Sequence, residues 1–599
     1  MWGNAFAPFK KAGRPVTIWT VGWATWQVQW GANRNLLMAG RLYPIFSRAK
    51  IYESKNNFFN QSHMINQILR YVLAISLATV ATGVSAAETN FFSIANGPFQ
   101  PNWNSLTNYQ TPEWFRDAKF GIWAHWGSQC EPEHGDWYAR GMYQQGNADY
   151  QSHLAEYGHP STNGFKDVIH VWKAEHFDPD TLLKFYKQNG AKYFMALAVH
   201  CDNFDNWNSK YQPWNSVNLG PQKDLIGGWA KAARKNGLRF GVSVHNGGWT
   251  WRWYEPCQGA DTNGPLAGVP YDGKLTKADG KGQWWDGLDP QLLYCQNHPL
   301  HAKPDQAYCE NFYLRTKQLW DDYHPDMVYF DEMIVPMHYL NVEDAYGLNL
   351  YAHFYNSSIR WHGRNEAVVT AKILQPMQRR AITYDIERGK AAGILPQPWQ
   401  TDTCLGQWHY NADLFKRHQY LPAASVIRML ADIVSKNGNL MLSVPLQRDG
   451  QPDADEIKIV SDIGAWLKVN GEAIYATRPW QIYGEGPSTV ASTEKGEFDG
   501  QRDVQKKPYT SEDIRFTQSK NGKEVYAIAL DIPKDGQLVI KSLAQSAGRI
   551  KKVKLLGHAG KLDWQQTEAG LVIKLPATLP GNYALAFKIE GKALQVAGK

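Results

Sequence analysis

The chain has 599 residues, 43% of them apolar, 20% charged and 13% aromatic, and so is long enough for a large core and more than one domain. Its formal charge of +7 resides in residues 1–63, where eight Lys or Arg face one acid, Glu53. The remainder is balanced, so the basic total is no sign of a nucleic-acid or membrane partner.

Residues 1–63 show no clear period and read as an extension upstream of a start at Met64. Residues 64–86 carry one early cation, Arg70, then an apolar run from Tyr71 to Val84, then the small tripeptide Val84-Ser85-Ala86. That is the layout of a secretory signal peptide, too short for a membrane span, and it predicts export to the periplasm or beyond, with no stable membrane insertion once the leader is removed. Cys130, Cys201, Cys257, Cys295, Cys309 and Cys404 lack the CxxC spacing of a structural zinc site. Export permits disulfides, and a bridge would be useful in the long insertion holding Cys257, Cys295 and Cys309, but spacing alone does not fix a pairing.

From residue 87, strand-like and helix-like runs alternate. Five apolar runs close on a reactive side chain: His125, His200, His245, Asp331 in Met327-Val328-Tyr329-Phe330-Asp331, and Lys372. Helix-like stretches at 182–189, 224–236 and 313–323 precede the second, third and fourth of these, and 439–444 reads as a late strand. Such alternation predicts an α/β fold, a TIM-type (β/α)8-like barrel over residues 87–480, whose strand ends share one pocket. From about Tyr483 the pattern shifts to short alternating runs at 524–530, 537–540, 571–575 and 583–589. These predict a C-terminal antiparallel β-sandwich over residues 481–599. Many Trp and Tyr sit beside polar residues, which suits sugars, with their apolar faces and hydroxyl edges, as well as a large aromatic core.

The segment from Trp114 to Gly127, WFRDAKFGIWAHWG, resembles the opening barrel motif of family 29 glycoside hydrolases, the retaining α-L-fucosidases. Ser209-Lys210-Tyr211, Phe330-Asp331, Glu387-Arg388-Gly389, Asn437-Gly438-Asn439-Leu440 and Asp513-Ile514-Arg515-Phe516-Thr517 extend the match in the family's order. The resemblance implies an exo-acting hydrolase that frees terminal α-L-fucose from oligosaccharides or glycoconjugates without cofactor or metal. The route would be a double displacement by two carboxyl groups. Asp331 matches the nucleophile, whereas strand alternation turns Glu332 away. Glu387 matches the acid/base, with Asp385, Asp402 and the carboxylates of residues 131–136 as alternatives. His125, His200 and Trp408 match sugar-binding positions, Lys372 a cation after the fifth strand, and Trp126 and Trp137 are expected as walls.

Several positions depart from that pattern. Cys201 replaces the second residue of a histidine pair and is placed in the sugar subsite, with His245 supplying the lost contact. Val199 stands where lysine is frequent, Ser243-Val244-His245-Asn246 where tyrosines are frequent, Tyr329 where tryptophan is frequent, and His409 where the late motif has glycine. These changes leave open a related L-sugar such as an α-L-galactoside. A glycan-binding barrel without catalysis is opposed by the presence of both Asp331 and Glu387. A metal-dependent hydrolase would need a His-x-His or carboxylate cluster that the chain does not display.

Overall fold

The computed structural model describes residues 91–331, 344–489, 508–592 and 594–597. The leader expected at 64–86, the extension expected before it and Glu332 lie outside them. Eight parallel strands close a barrel in chain order: β1 Phe120–Ala124, β2 Tyr193–Val199, β3 Arg239–Val244, β4 Met327–Phe330, β5 Val368–Lys372, β6 Thr383–Asp385, β7 Trp399–Cys404 and β8 Gly438–Ser443. Closure comes from β1 pairing with β8, Phe120 opposite Leu440.

The outer layer includes α1 Pro179–Gln188, α2 Leu225–Lys235, α3 Gln306–Tyr323, α4 Ala345–His362, α5 Ala423–Ser435 and α6 Ala454–Asn470. Local chemistry sets where these helices start. Asp178, Asp224 and Asp305 each accept a backbone N–H from the first turn of α1, α2 and α3. Asp453 and Glu456 cap α6 reciprocally. Only a 3-10 turn, Gln378–Arg380, separates β5 from β6, and no helix lies between β6 and β7. The barrel wall is therefore thin beside Glu387.

Period-2 alternation sorts the strand side chains into two layers. Phe120, Ile122, Val328, Phe330, Leu440 and Leu442 face the helices in the large outer core. Trp123, Tyr193, Met195, Met327, Tyr329, Val368 and Met441 fill the barrel interior. One register shift, between Leu197 and Val199 where β2 meets β3, breaks this parity. Val199 joins the outer core, so the chain re-aims just before His200, as bulges do beside active sites.

Beyond the barrel, β9 Thr477–Glu485, β10 Ile514–Ser519, β11 Glu524–Ala529, β13 Ile550–Leu555 and β16 Leu585–Gly591 form a five-stranded sheet in the order β13-β16-β11-β10-β9. β12 Gln537–Ile540, β14 Asp563–Gln566 and β15 Leu571–Lys574 form a three-stranded one. Pairing in both is antiparallel. Phe516, Ala527 and Phe587 of the larger sheet share an apolar cluster with Leu538, Ile540 and Ile573 of the smaller. The fold is the expected barrel followed by antiparallel sheets. Among the described residues no disulfide forms, and the six cysteines are buried. In the long insertion, burial pushes the Cys295 and Cys309 thiols up to about 12, which leaves little thiolate to react.

Candidate active site

His125, His200, His245 and Asp331 each stand one residue past the end of β1, β2, β3 and β4, and Lys372 is the last residue of β5. The barrel thus brings them together at the C-terminal face, where strand ends from different units converge. The histidine rings form one cluster, with centroids 5.5 Å apart for His125 and His245, 4.8 Å for His200 and His245, and 6.4 Å for His125 and His200. Trp408 packs 4.9 Å from His125, and Trp123, two residues back on β1, packs 3.7 Å from the same ring.

The charged centre is built on Lys372. Its Nζ donates to Asp331 Oδ1, and to Glu387 Oε2 at 2.6 Å. On the far side, His245 Nδ1 lies 3.2 Å from Asp331 Oδ2, near but not aligned as a hydrogen bond. Contact with one ammonium holds the two carboxyls close together, on the side of a close pair that flanks one sugar carbon in a double displacement rather than of a pair spread to admit a water between them.

The two carboxyls are pushed in opposite directions. Burial raises Asp331, but the Lys372 ammonium and then His245 outweigh it and hold the group well below the usual carboxylate range. Burial also raises Glu387; Lys372 pulls it back, Asp402 and Asp331 push it up, and the net is upward. Opposite shifts within one pair are how an ionised nucleophile and a protonated acid coexist at one pH. Burial, and then the neighbouring rings, keeps His125 and His200 well below the ordinary histidine value, and burial likewise lowers His245. Neutral imidazoles offer one donor and one acceptor each. Gln129 Nε2, 2.8 Å from His200 Nδ1, fixes the other ring nitrogen as the donor.

The remaining candidate residues are placed differently. Trp137 is 42% exposed at the rim, 5.0 Å from Trp253, which in turn packs 5.8 Å from His200. Trp126 is no wall of this pocket. Following the inward His125, it turns outward and packs against Phe177 and Trp172 at 2% exposure, with its Nε1 donating to Gln447 O. Cys201 is corrected for the same reason: it follows the re-aimed His200, lies in the outer apolar core, and directs Sγ to His245 O at 3.5 Å. Among the alternative acids, Glu131 and Glu133 pair with Arg448, and Asp136 accepts the backbone N–H groups of Trp408 and His409.

Other groups completing the centre were not singled out as site residues from sequence. Tyr329 donates to Asp402 Oδ2 at 3.0 Å and reaches Asp331 Oδ1 at 3.4 Å. Ser443 Oγ lies 3.1 Å from His125 Nδ1. The His409 ring lies 4.6 Å from that of His200. Alternation carries the signal for Trp123 and Tyr329, each two residues before an inward strand-end side chain. Among the described residues, no group of three or more His, Cys, Asp or Glu is arranged to hold a metal ion.

The family model described as "Alpha-L-fucosidase" matches residues 87–472. The chain belongs to the α-L-fucosidase family. A second model, "Alpha-L-fucosidase C-terminal domain", matches residues 505–590. The chain is 26% identical to the tissue alpha-L-fucosidase of Rattus norvegicus over 83% of its own length and 93% of the relative's. To the human tissue enzyme it is 26% identical over 82% and 92%. A Thermotoga maritima alpha-fucosidase solved in complex with fucose superposes with TM-score 0.60 at 25% identity, over 82% of this chain and 99% of that one. Membership of this family makes the protein a glycoside hydrolase, with the pocket on the barrel's C-terminal face as its candidate active site.

Proposed function

We propose that this hydrolase releases terminal α-L-fucose from oligosaccharides and glycoconjugates with retention, Asp331 acting as nucleophile and Glu387 as acid/base. The observation carrying this reading is the Lys372 ammonium shared by two part-buried carboxyls with opposite shifts. Asp331, ionised, attacks the anomeric carbon while Glu387 gives its proton to the departing oxygen, leaving a glycosyl ester and a Glu387 carboxylate. Glu387 then takes a proton from water, which attacks the same carbon and frees Asp331. His125, His200 and His245, neutral and adjacent, read the sugar hydroxyls, and Trp408 packs beside His125. The apolar 71–84 stretch and the small residues before Ala87 support export of the enzyme. No helix among the described residues is long and apolar enough to cross a membrane.

A general acid matters most when the leaving group is poor, by about 10² to 10⁴-fold. Glu387→Ala should therefore slow glycosylation by natural fucosylated glycans far more than by an activated aryl fucoside, as single-turnover kinetics would read. Equal losses on both would move the role to another carboxyl.

A further inference from the structure

Tyr329 sets its hydroxyl between two carboxyls at the floor of the pocket. Strand alternation puts it on the same face of β4 as Asp331. It is 1% exposed, and its ring is pinned by the rings of Trp123 at 4.6 Å and His245 at 5.8 Å and by Lys372 Nζ 5.6 Å from its centre. Only the O–H is left to turn. It donates to Asp402 Oδ2 at 3.0 Å and, more weakly, to Asp331 Oδ1 at 3.4 Å, and a phenol has one hydrogen to divide between them. Asp331 Oδ1 therefore faces two donors, Lys372 Nζ and this hydroxyl. Oδ2 is held differently. His245 Nδ1 stands 3.2 Å from it without the alignment of a hydrogen bond, and among the described residues no other group donates to it. With 28% of the Asp331 side chain exposed, Oδ2 is the oxygen whose lone pairs are open to the pocket.

We infer that Asp331 attacks through Oδ2, and that Tyr329 is a positioning residue which, with Lys372, holds Oδ1 back and meets the charge that returns to the carboxylate when the sugar leaves. This rests on the reading of Asp331 as the nucleophile. In the first step a lone pair of Oδ2 forms the bond to the anomeric carbon, the bond to the aglycone oxygen breaks with its electron pair, and the Glu387 proton goes to that oxygen. Oδ1 becomes the ester carbonyl and keeps both donors. In the second step water attacks the same carbon, Glu387 takes its proton, and the carbon–Oδ2 bond breaks with its pair returning to the carboxylate. Charge thus drains from Oδ1 in the first step and comes back in the second. A donor aimed at Oδ1 binds the carboxylate more tightly than the ester, so it restrains attack and favours release. Lys372 acts on Oδ1 in the same sense but also donates to Glu387. The Tyr329 hydroxyl has no contact with the acid/base, so its removal isolates the effect on the nucleophile.

The test times the two steps separately with 2-deoxy-2-fluoro-α-L-fucosyl fluoride. Fluoride leaves without help from an acid, and the ring fluorine beside the anomeric carbon slows both steps enough for the glycosyl-enzyme to be trapped. Loss of activity then reports attack, and its recovery after excess reagent is removed reports release. In Tyr329→Phe, trapping should run at the parent rate or faster, while release should be about tenfold slower, the worth of one hydrogen bond to a carboxylate. A role confined to packing or to holding Asp402 would slow both steps alike. Should Tyr329→Phe fail to fold, 3-fluorotyrosine in place of Tyr329 keeps the ring and makes the hydroxyl a stronger donor, so release should quicken relative to trapping. In either enzyme, a ratio of the two rates equal to the parent's, or changed in the opposite direction, overturns the inference. Peptide mass mapping of the trapped sugar separates this from the reading beneath it. A sugar on any residue other than Asp331 fails the nucleophile assignment, whereas a sugar on Asp331 with the ratio unchanged fails the inference alone.

Discussion

Lys372 is the residue on which the charge balance of the centre turns, because one ammonium contacts both carboxyls. Replacing it with methionine removes what lowers Asp331 and what restrains Glu387. Both folded-state values then rise. The acid limb of kcat/KM, set by ionisation of Asp331, and the alkaline limb, set by protonation of Glu387, should move up in pH together. Measured profiles of Lys372→Met in which only one limb moves would show that the ammonium serves one carboxyl and not both. At this scale much was legible in the chain: His125, His200, His245, Asp331 and Lys372 each end an apolar run, and all converge. What sequence could not rank was the set of spare carboxyls. Asp385, Asp402 and Glu387 differ in burial and partners, which arise only when β5, β6 and β7 lie side by side.

At the scale of elements, one residue of offset decides whether a side chain enters the pocket. His125 faces inward and Trp126 outward because β1 is extended, and an aromatic residue next to a sugar-binding histidine carries no mark of that difference in its identity. Trp126 accordingly belongs to the packing between the barrel and its helices. Trp126→Ala should cost about 3–5 kcal/mol in denaturant unfolding while the KM for an aryl fucoside stays within about twofold. A large rise in KM without loss of stability would return Trp126 to the sugar. The shift in β2 between Leu197 and Val199 had no sequence signal, and it accounts for the misplacement of Cys201. β6 and β7 escaped notice because β6 spans three residues and β7 interleaves Gln400, Asp402 and Thr403 with few apolar ones. Their polarity is that of strands whose inward side chains serve the site.

Across the whole molecule, the five-stranded sheet is fastened to the barrel by buried charge as well as apolar contact. Arg515 on β10 donates to Asp432 on α5 at 2.5 Å, Lys436 just past the end of that helix donates to the other Asp432 oxygen at 2.7 Å, and Trp466 on α6 donates to Ala584 O. Burial opposes ionisation of Asp432, but Lys436 and Arg515 outweigh it and hold its value below the ordinary one. Because the folded value lies below the unfolded one, this stabilisation is present above roughly pH 4 and is lost as pH falls through the acid range. Asp432→Asn leaves two buried cations short of a partner and should cost about 3–5 kcal/mol, and the variant should lose less stability than the parent between neutral and acid pH. Urea titrations at both pH values would show an unchanged pH dependence if the cluster were not what couples the sheet to the barrel. The alternation of runs made the barrel and the following sheets readable, whereas this junction depends on pairing between residues 83 positions apart.

The covalent role of Asp331 is the claim on which the proposed mechanism stands, and glycine at that position removes the attacking oxygen while leaving room for a small anion. In Asp331→Gly, turnover of an aryl α-L-fucoside should fall to near zero with folding intact. Added azide should restore part of it by taking the vacated place, and nuclear magnetic resonance should identify the product as the inverted β-L-fucosyl azide. Turnover at the parent rate in Asp331→Gly, or an azide product of unchanged α configuration, would contradict the account.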